Sequence, residues 1–144
     1  MISASAFLVV VLTVAGPPPN VTCQSAIKDL SAHLPELSTT DAEYRWRGLP
    51  TAFQCDAHGA VKSISLQWKE GQGLLSDARA AIGALGSRMT GDTATAIRGA
   101  FDRCISAGGR SLGENIQTMT GSTSVSCTVN SADAVVVVER RRDR

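Results

Sequence analysis

Aromatic residues are scarce in this chain, with three Phe, two Trp and one Tyr among 144 residues. So few rings make a base-stacking platform for single-stranded nucleic acid hard to assemble. Neither sign of charge dominates. Fourteen basic and thirteen acidic residues leave a formal net charge of +1, which removes any global electrostatic pull toward nucleic acid or an anionic membrane. With two histidines there is no His-rich metal set, and no C-x-x-C pair suggests a zinc knuckle or a thioredoxin-like redox site. The glycine-rich loops that cradle phosphates, G-x-x-x-x-G-K-S/T and G-x-G-x-x-G, are missing as well. No apolar run reaches the roughly 20 residues of a membrane-spanning helix. No cofactor, metal or nucleic-acid partner is therefore expected.

What is present begins with Met1 to Gly16 (MISASAFLVVVLTVAG), an uncharged and almost wholly apolar stretch. Its length suits the apolar region of a secretory signal, and Thr13-Val14-Ala15 ends it on a small residue fit for cleavage. No Lys or Arg precedes the run, so the amino terminus alone supplies positive charge. Pro17-Pro18-Pro19 would break any helix or strand at that point and read as a linker. The expected organisation is a signal peptide over 1–15, a Pro-rich linker over 16–22, one α+β domain over 23–139 and a basic tail over 140–144. A secreted or periplasmic location follows, with no membrane span in the mature form.

Four cysteines, Cys23, Cys55, Cys104 and Cys127, all lie beyond the expected cleavage point. An even number of widely spaced cysteines in an exported chain reads as a disulfide framework. A set of buried thiols in a reducing compartment is the alternative.

Apolar residues at Ile27, Leu30, Leu34 and Leu37 recur at helical spacing, and Pro35 ends that helix near His33. Phe53, Cys55 and Ala57 alternate with polar neighbours, as do Ile64, Leu66 and Trp68 beyond the turn at His58-Gly59; together they predict a hairpin. A helical stripe follows at Leu74, Leu75, Ala78, Ile82, Leu85 and Met89, then a second at Ile97, Phe101, Cys104 and Ile105. Gly91-Asp92-Thr93 offers the turn and N-cap between them. Val125, Cys127 and Val129 alternate again, Val135 to Val138 answer them across Asn130 to Asp133, and Ile116 to Met119 can add a further strand. The fold expected is α+β, a small antiparallel sheet of about two hairpins with two to three helices on one face, in the order α-ββ-αα-ββ(β).

In this layout Cys55 and Cys127 lie on inward faces of strands, and Cys23 and Cys104 on helix stripes. Two pairings merit comparison. Cys23–Cys55 with Cys104–Cys127 ties each helix to the strand region that follows it; Cys55–Cys127 with Cys23–Cys104 links strand to strand and helix to helix. The first is preferred because each bridge joins one layer to the other, although spacing alone does not fix connectivity.

Gly109-Arg110-Ser111-Leu112-Gly113 fits the G-x-S-x-G pattern of a hydrolase nucleophile elbow. That elbow turns from strand into helix and its triad runs Ser, acid, His. Here a helix precedes Ser111, and both histidines, His33 and His58, come earlier in the chain. Glycine punctuation at a helix end explains the stretch better. His58 beside Asp56 fits a turn better than a base or a metal site. Asp41 and Glu43 read as solvated loop charge. Tyr44, Arg45, Trp46 and Arg47 interleave rings with cations, a pattern able to stack on a sugar or grip an acidic partner. A strand with its rings inward and its arginines outward produces the same alternation. Glu139 to Arg144 is a solvated, fraying end or a contact for anionic envelope polymers, and Asn20-Val21-Thr22 matches a glycosylation sequon. The functional expectation is a non-catalytic binding module whose partner is another envelope or secreted protein, with an exported hydrolase using Ser111 or His58 as the alternative.

Export makes a direct prediction: N-terminal sequencing of the protein from an envelope or secreted fraction finds a start at or near Gly16. Retention of Met1 to Ala15 in soluble cytosolic protein overturns it.

Overall fold

The computed structural model describes residues 19–40, 43–69 and 75–141. Helix α1 (Pro19–Ala32) is followed by strands β1 (Leu37–Thr40), β2 (Glu43–Trp46), β3 (Leu49–Cys55) and β4 (Val61–Lys69). Helices α2 (Leu75–Thr90) and α3 (Ala94–Arg110) come next, then β5 (Asn115–Thr120), β6 (Thr123–Val129) and β7 (Asp133–Arg140). The strands form one seven-stranded sheet in the order β1-β2-β3-β4-β7-β6-β5, and every neighbouring pair is antiparallel. The domain is therefore α+β, but its sheet is larger than two hairpins, and the order is α-ββββ-αα-βββ. The first half holds two strands beyond those expected, β1 and β2. Helix α1 begins at Pro19, inside the stretch read as linker; proline is tolerated in the first turn, where its missing N–H has no helical partner.

The strand periodicity of two sorts the side chains onto two faces. On the inner face, Leu66, Val136, Cys127 and Ile116 stand in one cross-strand row, and Ile64, Val138, Val125 and Thr118 in the next. Leu66, Val136, Cys127, Ile64, Val138 and Val125 are all buried. Helices α2 and α3 cover this row system with Ala78, Ala81, Ile82, Leu85, Ile97, Ala100, Phe101 and Cys104, each at or near zero exposure. The stripes at helical spacing thus meet the alternating strands across one core.

Small residues set how closely the layers approach. A methyl group at Gly86 would meet Ile97 and Val138 at 3.2 Å, and one at Gly108 would come within 2.9 Å of Val129 Cγ2. The loop between α2 and α3 is fastened to the β5–β6 turn by Asp92, whose carboxylate accepts from the Ser122 N–H at 2.8 Å and the Thr123 hydroxyl at 2.6 Å. Thr93 caps α3 by accepting from the Ala96 N–H at 3.1 Å.

Both disulfides run from helix to sheet. Cys23 of α1 is bonded to Cys55 of β3, and Cys104 of α3 to Cys127 of β6. This is the layer-to-layer pairing of the two compared above. The other pairing would have to bridge β3 to β6, and two strands, β4 and β7, lie between them. Each bridge stabilises by about 2–4 kcal/mol through its effect on the unfolded chain.

Two adjacent glycines give a matched test. Gly108→Val forces Val129 to move and is expected to lower stability by about 1–3 kcal/mol in chemical denaturation. Nothing lies within 4 Å of a methyl at Gly109, so Gly109→Ala is expected to leave stability level or raise it by up to about 1 kcal/mol, because a helical glycine carries extra chain entropy when unfolded.

Candidate functional site

The G-x-S-x-G stretch resolves into three separate structural roles. Gly109 and Arg110 belong to α3, Ser111 is its C-cap with its N–H donating to Gly108 O, and Gly113 turns the chain with φ +83. The Gly113 N–H donates to Val129 O at 2.8 Å. The chain here runs from helix into strand, the reverse of a nucleophile elbow. His58 stands at the other end of the sheet, in the β3–β4 turn beside Arg140. Ser111 lies near the Asn130 end of β7, so the eight residues of β7, at about 3.3 Å each, put the two side chains roughly 20 Å or more apart. His33 is at the end of α1 beside the opposite sheet edge, where its Nδ1 lies 3.0 Å from Asp29 O. Neither histidine reaches Ser111.

Asp56 and His58 form a turn. The Asp56 carboxylate accepts from the His58 N–H at 2.8 Å and the Ala60 N–H at 3.1 Å, and Arg140 lies 3.8 Å away. His58 itself is exposed. Those two backbone donors, first His58 and then Ala60, hold the Asp56 carboxyl below the usual aspartate range.

Strand β2 places the Tyr44 to Arg47 stretch with rings inward. Trp46 is 3% exposed, and Tyr44 meets Phe53 edge-on with ring centroids 5.2 Å apart. Arg45 points outward to Glu43 at 3.1 Å. Arg47, in a left-handed turn residue with φ 48, reaches Glu36 at 3.6 Å and Asp77 at 3.5 Å. A buried indole offers no face to a ligand, so these four side chains do not make a stacking platform. Asp41 lies outside the described residues.

The outer face of the sheet, which sequence reasoning did not single out, is covered by none of the described helices. Its central row runs Ala52, Ser65, Val137, Ser126 and Gln117 across five strands, with no charge in it. The next row runs Gln54, Ser63, Glu139, Ser124 and Met119. A shallow depression of about 380 Å³ lies over the centre, lined by Ser63, Ser65, Asn115, Ser126, Gln54 and Glu139 with Ala52 and Val137. Hydroxyls and amides both donate and accept, so the surface can meet neutral polar matter in many registers. The one ionisable side chain lining the depression is Glu139, which stands between Ser63 and Ser124 in the second row. The available signal was the polar half of β4, β5 and β6, where Ser63, Ser65, Gln67, Asn115, Gln117, Ser124, Ser126 and Thr128 alternate with the core positions.

Among the described residues, no group of three or more His, Cys, Asp and Glu side chains is placed to hold a metal, and no helix is long and apolar enough to cross a membrane. No family model, curated protein or solved structure matches the chain.

The Asp56 turn predicts a pH response with a defined sign. Because its carboxyl is held below the ordinary aspartate value when folded, the turn's contribution is present above the unfolded value and is lost as pH falls through the folded one. NMR titration is expected to find Asp56 protonating after the ordinary aspartates. Asp56→Ala is expected to erase the associated slowing of His58 and Ala60 amide exchange.

Proposed function

We propose that this is a small exported, disulfide-stabilised binding module of the cell envelope or extracellular space, acting without catalysis on another envelope or secreted protein. The observation that carries this reading is the wide outer sheet face, furnished with hydroxyl and amide groups, uncharged along its centre and left uncovered by the helices. Such a face suits a partner held by many weak polar contacts. The two helix-to-sheet disulfides support an oxidising compartment, because bridges of this kind persist where thiols are not kept reduced. The competing reading, an exported hydrolase using Ser111 or His58, loses support from the distance between those residues and from the helix-to-strand direction of the turn.

Photo-cross-linking in the native organism tests the proposal. A photoreactive residue at Ser126, on the outer face, is expected to capture a discrete envelope or secreted protein; one at Ala80, exposed on α2, is expected to capture none. Equal labelling from both positions overturns the reading. So does turnover on an esterase or glycosidase panel that Ser111→Ala abolishes.

A further inference from the structure

The sheet ends at β5, and this edge carries none of the usual defences against a visiting strand. Its sequence, Asn115-Ile116-Gln117-Thr118-Met119-Thr120, has no charge and no proline, and its pairing with β6 runs without a register shift. Natural edges are commonly blunted by a lysine, a proline or a bulge. The chain turns from β5 into β6 through Gly121 and Ser122, flanked by the Thr120–Thr123 pair, with Gly121 at φ +52. In a two-residue turn the flanking pair is hydrogen-bonded, and antiparallel pairs alternate from there. Thr120, Thr118 and Ile116 therefore direct their backbone groups to β6. Asn115, Gln117 and Met119 direct theirs away from it, a row of donors and acceptors with no backbone partner among the described residues.

The helix beside this edge supplies the sign of charge. α2 packs over β4 and β7, and α3 over β5 and β6. The side of α3 that faces α2 carries Arg98, packed at Gly83, and Asp102, paired with Arg79 at 2.8 Å. At 100° per residue Arg103 and Arg110 lie about 80–140° round the helix from those two, on the flank turned away from α2 and toward the β5 edge. Both are exposed, and neither forms an ion pair among the described residues; Arg110 donates only to the Ser106 hydroxyl at 3.0 Å. Two acidic groups bracket the strand: Glu114 just before it, and Asp92 at the β5–β6 turn, where its carboxylate accepts from the Ser122 N–H and the Thr123 hydroxyl. Two of the three large apolar residues exposed on the described chain, Leu112 at 58% and Met119 at 48%, also flank or belong to β5.

We propose that β5 is a docking edge, and that its occupant is an extended acidic segment of another protein, which adds a strand to the sheet while its carboxylates meet Arg103 and Arg110. Main-chain hydrogen bonds hold such a strand, and alternate side chains select it. A second copy of this chain is a poorer occupant. In a two-fold β5–β5 pairing, Arg103 and Arg110 of the two copies would be brought to the same seam, where like charges oppose approach. This inference rests on the reading of the domain as a binding module, and it names the edge and the chemistry of the partner.

The test uses two synthetic strand-forming peptides of alternating Thr and Val positions, one with interspersed Glu and one with Lys, titrated into the oxidised protein. The acidic peptide is expected to bind, shifting and protecting the amides of Asn115, Gln117 and Met119. The Lys peptide is expected not to bind. Gln117→Pro removes one outward N–H but no bond to β6, so the fold is expected to survive while binding is lost. Arg103→Glu with Arg110→Glu, on the helix surface, is expected to weaken the acidic peptide about tenfold or more and to favour the Lys peptide. Equal binding of both peptides, binding of neither, or binding unchanged by Gln117→Pro overturns the proposal. A concentration-dependent dimer that Gln117→Pro dissolves overturns it in favour of self-pairing. Failure of the peptides alongside a specific cross-link from Ser126 removes this docking mode and leaves the binding reading standing.

Discussion

At the seam between α3 and β6, the backbone of Gly108 lies so near Val129 that a methyl group there would be 2.9 Å from its Cγ2. The Cys104–Cys127 bridge closes the same seam one helical turn earlier. This contact sets the height of α3 above the sheet, and the height decides the rest. With α3 seated, Phe101 and Ile97 reach the inner rows, α2 packs beside it through Gly83 and Gly86, and Asp92 meets the β5–β6 turn. The inner face is then filled, and no chain remains among the described residues to cover the outer one. An open polar face and a bare β5 edge are consequences of the same one-sided packing.

Much of this arrangement was legible in residue spacing. The alternation of Ile64-Leu66-Trp68 and of Val125-Cys127-Val129 announced inward faces, and the stripes ending at Met89 and Ile105 announced helices above them. The two missed strands were short and poorly marked. β1, Leu37-Ser38-Thr39-Thr40, places one large apolar residue in four positions. β2 alternates well, but Tyr44 to Arg47 reads equally as a ligand-binding motif. The turn between β2 and β3 is Arg47-Gly48, both left-handed; a hairpin of that kind is normally signalled by Asn-Gly or Asp-Gly, so an arginine hid it. Pro50 then argued against a strand, yet it pairs with Arg45 inside β3. The outer face went unnoticed for a different reason. Serines and glutamines spread over several strands carry no motif in sequence, and only the register of the sheet brings them onto one surface.

The two halves of the chain follow one plan. In the first, a helix is bridged to the strand before last, and the last strand, β4, lies at the middle of the sheet. In the second, α3 is bridged to β6, and β7 pairs with β4 to join the halves. Each half supplies its own helix-to-sheet tie, while the junction between them is made by backbone hydrogen bonds, the shared helical cover and the contacts of Arg47 with Asp77 and of Arg140 with Asp56 and the Val61 carbonyl.

Because each bridge stays within its half, the cysteines pair in the order in which they occur along the chain: first with second, third with fourth. A polypeptide threaded amino-terminus first into an oxidising space would meet each correct partner as the next thiol to emerge. No bond formed early would have to be undone later. In such a chain the native bridges are those between consecutive cysteines, the pairs that entry in order of sequence favours.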